Sequence, residues 1–158
     1  MKLDLQNYFP GLLLWLSNKV SSSASSLYRE KFQITITDWR MLSYFTIYPW
    51  STASKAAELI GLDKAAISRS IAFLMLKGYL ESRPLGLRKI EYKVTKSGVK
   101  LHNAIFKLAI AREKALLNRF SQHEHQMLIS MMQRMLNNLS AVEKVGRNDG
   151  LKTRREGL

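Results

Sequence analysis

Apolar residues recur every three or four positions over two long stretches of the chain, one towards each end. The first stretch predicts a helix from Pro10, which suits a first helical turn, to about Phe32. A second helix is expected to have Thr37 as its N-cap and to end before Pro49, because the residue preceding proline disfavours helix. The apolar stripe of the first helix consists of Leu13, Leu16, Val20, Ala24 and Leu27.

The stretch towards the carboxyl end predicts two further helices. Thr95 is a suitable N-cap for a long helix that runs to about residue 120. Ser121 and Glu124 then form the Ser-x-x-Glu pattern of a capping box, which opens the next helix. The periodicity later stops, and residues 146–158 are expected to form a flexible basic tail. The last helix carries a narrow apolar seam, as in helices that pack side by side: Leu128, Met132, Met135 and Leu139.

Between these stretches lies a short segment with the marks of a helix-turn-helix. Ala57 is small enough for two helices to touch closely, and Gly61 tolerates the left-handed backbone of a tight turn. Asp63 is expected to cap the second helix, and Gly78 suits the position just after its end. Spacings of four and three predict that this helix turns three residues inward: Ile67, Ile71 and Leu74.

The opposite face of the second helix combines small and basic side chains. Small residues allow a helix to approach base edges in a major groove, where Ser68 and Arg69 can donate hydrogen bonds. Lys64 is close to the helix N-terminus, where phosphate contacts are favoured. A solvated charged face on a helical hairpin is the alternative, because short helix pairs joined by glycine are common. The residues of this face are Lys64, Ala65, Ser68, Arg69 and Ala72.

Two short strands follow directly, at 79–83 and 90–94. Arg83 flanks the segment that joins them, and Arg88 and Lys89 lie at its tip. Cations at the tip of a hairpin suit a narrow minor groove. A hairpin that only covered the core would not need two adjacent cations there, so the pattern predicts a wing.

The charge of the chain favours an anionic partner. Lysine and arginine number 25 against 12 acidic residues, which gives a net charge of +13. Residues 51–100 contribute ten basic and four acidic side chains to this excess. The sequence has no cysteine, so this chain forms no disulfide or thiolate zinc site of its own, and a reducing cytoplasm is the expected location. No stretch is long and apolar enough to cross a bilayer, so no membrane partner is expected.

No catalytic or cofactor-binding pattern is present in the sequence. It contains no glycine-rich phosphate loop, no nucleophile elbow and no carboxylates paired at an informative spacing. His123 and His125 are two positions apart on a predicted helix, so they point in different directions and do not chelate as an i, i+4 pair would. The sequence predicts neither an enzyme nor a cofactor nor a metal site.

The helices at both ends carry apolar stripes wider than the core of a 158-residue chain needs. We therefore expect them to form a two-fold dimer interface. A monomeric helical bundle stays open, because periodicity does not distinguish burial within a chain from burial between chains.

The order of these elements resembles the multiple antibiotic resistance regulator (MarR) family of winged-helix transcription factors, over about residues 8–140. The resemblance implies a homodimer whose terminal helices dimerise while two winged lobes bind successive grooves of a pseudo-palindromic operator. The segments that carry it are 37–42 (TDWRML), Ala57 with 58–62 (ELIGL), 67–69 (ISR), Leu74 with 77–80 (KGYL), and 94–98 (VTKSG).

The wing departs from the family pattern at one position. Family wings usually carry an Asp-x-Arg triplet, where this chain has Gly86, Leu87 and Arg88. The resemblance implies that the aspartate sets the pose of the arginine. Its loss shifts the expected DNA contacts from Arg88 towards Ser68 and Arg69.

The sequence as a whole predicts a mainly α fold with a small β-wing. A single domain at 1–145 is expected to contain a winged helix-turn-helix lobe at 37–94 and dimerisation helices at 10–32 and 96–140. The predicted function is that of a homodimeric, sequence-specific transcriptional regulator, acting as a ligand-responsive repressor. The expected DNA contacts are Ser54, Lys55, Lys64, Ala65, Ser68, Arg69, Arg83, Arg88 and Lys89.

The resemblance also implies a small aromatic or phenolic effector, bound in a cleft between the dimerisation helices and the lobe. Two other functions stay open: a protein-interaction module whose lobe contacts an acidic partner, and a nonspecific architectural DNA-binding protein. The candidate cleft residues, each of which could instead belong to the core, are Trp15, Asn18, Trp39, Tyr44 and His102.

Overall fold

The computed structural model describes residues 3–145, and the basic tail predicted at 146–158 lies outside the described residues. Contacts group the chain into two compact units, one reaching Ile110 and the other beginning at Ala111. The fold is mainly α with a small antiparallel sheet of order β1-β3-β2, as predicted. In chain order the elements are α1 (Phe9–Phe32), α2 (Ile36–Ile47), β1 (Ser51–Thr52), α3 (Ala53–Ile60), α4 (Lys64–Leu76), β2 (Leu80–Leu85), β3 (Lys89–Val94), α5 (Lys96–Leu116), α6 (Gln122–Asn137) and α7 (Leu139–Val142).

The start of α2 corrects one prediction, because its N-cap is Thr35 and not Thr37. The hydroxyl of Thr35 accepts a hydrogen bond from the amide of Asp38 at 3.2 Å, and the Asp38 carboxylate accepts one from the amide of Thr35 at 2.7 Å. This reciprocal capping box needs an acidic or amide side chain three residues after the cap. Thr37 is followed at that distance by Arg40, which cannot accept a hydrogen bond. Thr37 therefore lies inside the helix.

The core of the first unit forms where α2 and α4 pack together with the ends of α1, β2 and β3. The three inward residues predicted for α4 are all buried, which confirms that pattern. The small residue that is fully buried on α3 is Ala56, whereas Ala57 is only partly buried. The buried apolar set is Ala24, Tyr28, Ile34, Met41, Leu42, Tyr44, Phe45, Ala56, Ile67, Ile71, Leu74, Leu80, Val94 and Ile105.

The wing is longer than the predicted pair of strands. The first strand was predicted to end at residue 83, but Pro84 pairs with Ile90 inside the β2–β3 ladder. β2 is an edge strand of the sheet, and an edge position tolerates proline because one row of backbone groups faces solvent. The two-residue strand β1, which pairs Ser51 with Tyr92, was not predicted, since so short a segment carries no periodic signal.

The apolar stripe of α1 is buried only in its second half. Of the stripe, Ala24 is buried and Leu27 is half-buried next to the buried Tyr28, whereas Leu13 is 41% exposed and Leu16 is 51% exposed. The first half of α1 therefore presents large apolar side chains that nothing else within the described part of the first unit covers.

In the second unit, α6 begins at the predicted capping box. The hydroxyl of Ser121 accepts the amide of Glu124, and the Glu124 carboxylate accepts the amide of Ser121, which holds the pKa of that carboxyl below its ordinary value. The preceding helix ends at Leu116, earlier than the predicted residue 120, and Arg119 adopts a left-handed backbone (φ 71°) in the turn between. No described residue of α6 is buried in the single chain, and Met132 in its apolar seam is 40% exposed.

Candidate nucleic-acid interface

A side-chain cap fixes the start of α4. The two carboxylate oxygens of Asp63 accept the amides of Ala65 at 2.8 Å and Ala66 at 3.0 Å. These hydrogen bonds, that from Ala65 first, hold the pKa of Asp63 below its ordinary value. Gly61 (φ 70°) makes the turn before the cap, and Gly78 (φ 69°) follows the helix end, both as predicted. The cap and the two glycines therefore set where α4 begins and ends.

A buried polar contact joins α4 to α2. The hydroxyl of Ser70 donates to Oδ1 of Asp38 at 2.7 Å, and both residues are buried. The other carboxylate oxygen of Asp38 is already engaged by Thr35. One carboxylate thus caps α2 and fixes the depth and rotation of α4. Sequence reasoning missed this role, although the pattern Thr35-x-x-Asp38 carried the capping half of it.

The two faces of α4 divide as the sequence predicts. Ile67, Ser70, Ile71 and Leu74 are buried. All the residues predicted to contact DNA from this helix are exposed, and so are the two at the start of α3: Lys64, Ala65, Ser68, Arg69, Ser54 and Lys55. The outward face of α4 therefore offers a small side chain, a hydroxyl and two cations to a partner.

The tip of the wing is exposed and basic. Gly86 adopts φ 64° in the turn, and the side chains of Leu87, Arg88 and Lys89 are exposed. Neither Arg88 nor Lys89 forms an ion pair with another described residue. Both cations are free to approach an anionic partner.

Arg83, also predicted to contact DNA, has a different environment. Its Nε and Nη2 each lie 2.9 Å from the same oxygen, Oε2 of Glu91. Its guanidinium carbon also lies 4.1 Å from the centre of the Trp50 ring. This cation is engaged by two neighbours within the chain.

Two of the five residues predicted to line an effector cleft are in contact through their rings. Trp39 and His102 stack with their ring centres 4.9 Å apart. Tyr44 lies in the core, where its hydroxyl is 2.8 Å from that of Ser51. Trp15 and Asn18 are exposed on α1.

A groove of about 650 Å³ lies elsewhere in the first unit and contains none of those five residues. It runs between the end of α1, the loop before α2, and α4. Arg29 and Arg69 contribute cations to it, and Asp38, Ser70 and Phe73 form part of its wall. Arg69 therefore borders both this groove and the outward face of α4.

Between residues 3 and 145, no three histidine, aspartate or glutamate side chains come together in a way that could hold a metal ion. None of the helices in this range has the length and apolar character that crossing a membrane requires.

No family model matches the sequence, and no curated protein matches it. Solved structures do match it. A MarR/EmrR family transcriptional regulator from Acinetobacter sp. ADP1 is 28% identical, with a TM-score of 0.81 over 88% of this chain and 99% of that one. The MepR–DNA complex of S. aureus is 20% identical, with a TM-score of 0.72 over 87% of this chain and 99% of that one. PcaV from Streptomyces coelicolor, in complex with its natural ligand, is 18% identical, with a TM-score of 0.69 over 87% of this chain and 97% of that one.

The short helix pair α3–α4, followed by the β2–β3 hairpin and braced by β1, is a winged helix-turn-helix. With its flanking long helices, the chain has the fold of the MarR-family winged-helix proteins, and it is similar to the Acinetobacter transcriptional regulator of that family.

Proposed function

We propose that the protein is a homodimeric transcriptional regulator that binds a specific duplex DNA site through α4 and the wing. The observation that carries this proposal is the division of α4 into a buried face and an exposed face. The exposed face holds Ser68 and Arg69 among small residues, so the helix backbone could approach base edges closely. MepR, which shares the fold, was solved in a complex with DNA.

Each cation of the interface has a distinct role in the proposal. Arg69 and Ser68 contact base edges in the major groove, where an arginine fork fits the two acceptors of guanine. Lys64 and Lys55 contact phosphates at the helix ends. Arg88 and Lys89 at the wing tip enter the adjacent minor groove or contact its walls.

The dimer is proposed from apolar surfaces that the single chain leaves exposed. The first half of α1 and the seam of α6 each present several large apolar side chains. Surfaces of this kind are typical of interfaces between subunits. A two-fold dimer would hold two winged lobes at a fixed separation, which selects half-sites about one helical turn apart, roughly 34 Å.

A small effector is proposed to regulate DNA binding. PcaV, which shares the fold, was solved with its natural ligand. The stacked rings of Trp39 and His102, both half-buried, offer aromatic contacts to an aromatic ligand. Such a ligand would act as an inducer if it stabilised the two lobes at a separation that does not match the operator, and the protein would then be a repressor.

Selection of duplexes from a random library, followed by salt titration, tests the function. A regulator enriches one pseudo-palindrome with a single half-site spacing and binds it at least about a thousandfold more tightly than random DNA. A nonspecific architectural protein would enrich no common site while binding every duplex with the same steep salt dependence. An interaction module for acidic proteins would bind all duplexes weakly, and this result would overturn the proposal.

A further inference from the structure

Trp50 has an unusual backbone for so large a residue. It adopts φ 58°, in the left-handed region that side chains other than glycine and asparagine rarely occupy. It immediately precedes β1, whose two residues pair with β3 next to the wing. Backbone conformations of this kind persist where surrounding contacts hold them in place.

Two cations of the wing lie against the Trp50 ring. The guanidinium carbon of Arg83 is 4.1 Å from the ring centre, and Nζ of Lys93 is 5.0 Å from it. Both distances are within the range at which an aromatic face attracts a cation. The ring thus links the residue before β1 to one side chain on each strand of the wing.

The same two cations form ion pairs across the wing. Arg83 is directly opposite Glu91 in the ladder and lies 2.9 Å from it through two nitrogens. Lys93 is directly opposite Glu81 and lies 3.0 Å from it. Alternate residues of a strand share a face, so these four side chains form one layer on the face of the hairpin opposite to Leu80 and Val94 of the core.

This arrangement gives the base and the tip of the wing different net charges. At the base, two cations face two carboxylates, so their charges cancel, and the side chain of Glu91 is only 13% exposed. At the tip, Arg88 and Lys89 form no ion pair with any other residue between 3 and 145. A phosphate would gain little from Arg83, whose charge Glu91 already balances, and much more from the tip.

We propose that Trp50, Arg83 and Glu91 form a clamp that sets the angle of the wing on the lobe. Arg83 is then a positioning residue: it holds the wing so that Arg88 and Lys89 reach DNA, and it does not itself bind phosphate. The DNA part of this inference rests on the proposed function, whereas the clamp itself does not.

Hydrogen exchange of the free protein tests the clamp without DNA. In Trp50→Leu and in Arg83→Gln, the amides of β2 and β3 should exchange about three- to tenfold faster than in the unmodified protein. Trp50→Phe keeps an aromatic face and should exchange at close to the unmodified rate. Unchanged exchange from α2 in each variant reports that the core is folded. Unmodified exchange rates in the wing of both Trp50→Leu and Arg83→Gln would overturn the proposal.

Binding to a duplex that the unmodified protein selects from a random library tests the role of Arg83. Lys89→Gln is the matched control, because it also removes one wing cation. It should lower the slope of log affinity against log salt by about 0.9, the value for one lost phosphate contact. Arg83→Gln and Trp50→Leu should each weaken binding about three- to tenfold, because the loosened wing must be ordered on binding. The salt slope should stay unchanged, because Arg88 and Lys89 still reach the same phosphates in the complex. The double variant should bind no more weakly than either single one.

A salt slope that falls in Arg83→Gln as it does in Lys89→Gln would overturn the positioning role. The positioning role would also be overturned if the double variant weakened binding by the product of the two single effects. Two residues of one clamp share a contact, and that contact can be lost only once. If the unmodified protein selects no duplex, the proposed function fails, and the exchange rates still decide whether the clamp exists.

Discussion

The hydroxyl of Ser70 donates a 2.7 Å hydrogen bond to the buried carboxylate of Asp38, so the N-terminus of α2 and the second helix of the helix-turn-helix, α4, share one polar contact. The remaining oxygen of that carboxylate caps α2 through Thr35. Every hydrogen bond that Asp38 accepts therefore serves to position a helix. Because Ser68 and Arg69 directly precede Ser70, this contact also determines how far they project from the lobe.

Replacing Ser70 with alanine is expected to lower the free energy of unfolding by about 1–3 kcal/mol, because one buried carboxylate oxygen loses its donor. Ser68→Ala is the matched control: it removes the same hydroxyl from the same helix, but at an exposed position. Its effect on the free energy of unfolding should stay within about 0.5 kcal/mol. Urea denaturation of both variants makes the comparison, and equal losses would contradict the role assigned to the Asp38–Ser70 contact.

The local elements of the fold were largely predictable because their signals lie within a few residues of each other. Asp63 precedes its helix directly, Ser121 and Glu124 are three residues apart, and the apolar residues of α4 repeat at helical spacing. Contacts between distant segments were not predictable in the same way. Nothing in the sequence relates Ser70 to Asp38, which is 32 positions away, because the geometry of packing brings them together.

The same difference between local signals and long-range contacts explains which features of the candidate site could be predicted. Exposure of Ser68 and Arg69 followed from the buried positions of the same helix. The environment of Arg83 did not, because a basic residue in a wing has the same local pattern whether it contacts phosphate or a carboxylate on the neighbouring strand. Tyr44 was a cleft candidate under the family resemblance; it is buried, and its hydroxyl lies 2.8 Å from that of Ser51, in a strand too short to predict.

Replacing Asp63 with asparagine should make the stability of the lobe less dependent on pH. The pKa of Asp63 is lowered in the folded chain by the amides of Ala65 and Ala66, so its charged form stabilises the fold. A lowered pKa means that this contribution is present above the unfolded value of about 3.9 and is lost as the pH falls through the folded value. Asparagine can still cap the helix but does not titrate in this range.

The measurement is the difference in free energy of unfolding between the unmodified protein and Asp63→Asn, taken at several pH values from 7 down to about 3. The unmodified protein should be the more stable of the two at neutral pH, and the difference should shrink below about pH 4. A difference that stays constant over this range would mean that the charge of Asp63 does not contribute to the cap.

Arg69→Ala and Lys64→Ala should weaken DNA binding in different ways. Arg69 is assigned to base edges, so its loss should cost about 1–3 kcal/mol on the selected duplex and relax the preference at one base pair. Lys64 is assigned to phosphate, so its loss should weaken binding evenly on all sequences and lower the salt slope by about one. Gel-shift titrations against the selected duplex and its single-base variants separate these effects. If Arg69→Ala bound the selected duplex as tightly as the unmodified protein, the assignment of Arg69 would be wrong.

Placing a charge in the seam of α6 tests the dimer. Met132 is 40% exposed in the single chain, and Met132→Glu would put a carboxylate into the proposed apolar interface. Dimerisation should weaken at least about a hundredfold, since moving an unpaired charge out of water costs several kcal/mol. Ser130→Glu is the matched control, because position 130 lies about 200° around the helix from 128 and from 132, outside the seam. Sedimentation over a range of protein concentrations should show a dimer for the control and a monomer for Met132→Glu. A dimer in both would place the interface on other residues, and loss of operator binding in Met132→Glu alone would show that two lobes are needed to hold the DNA.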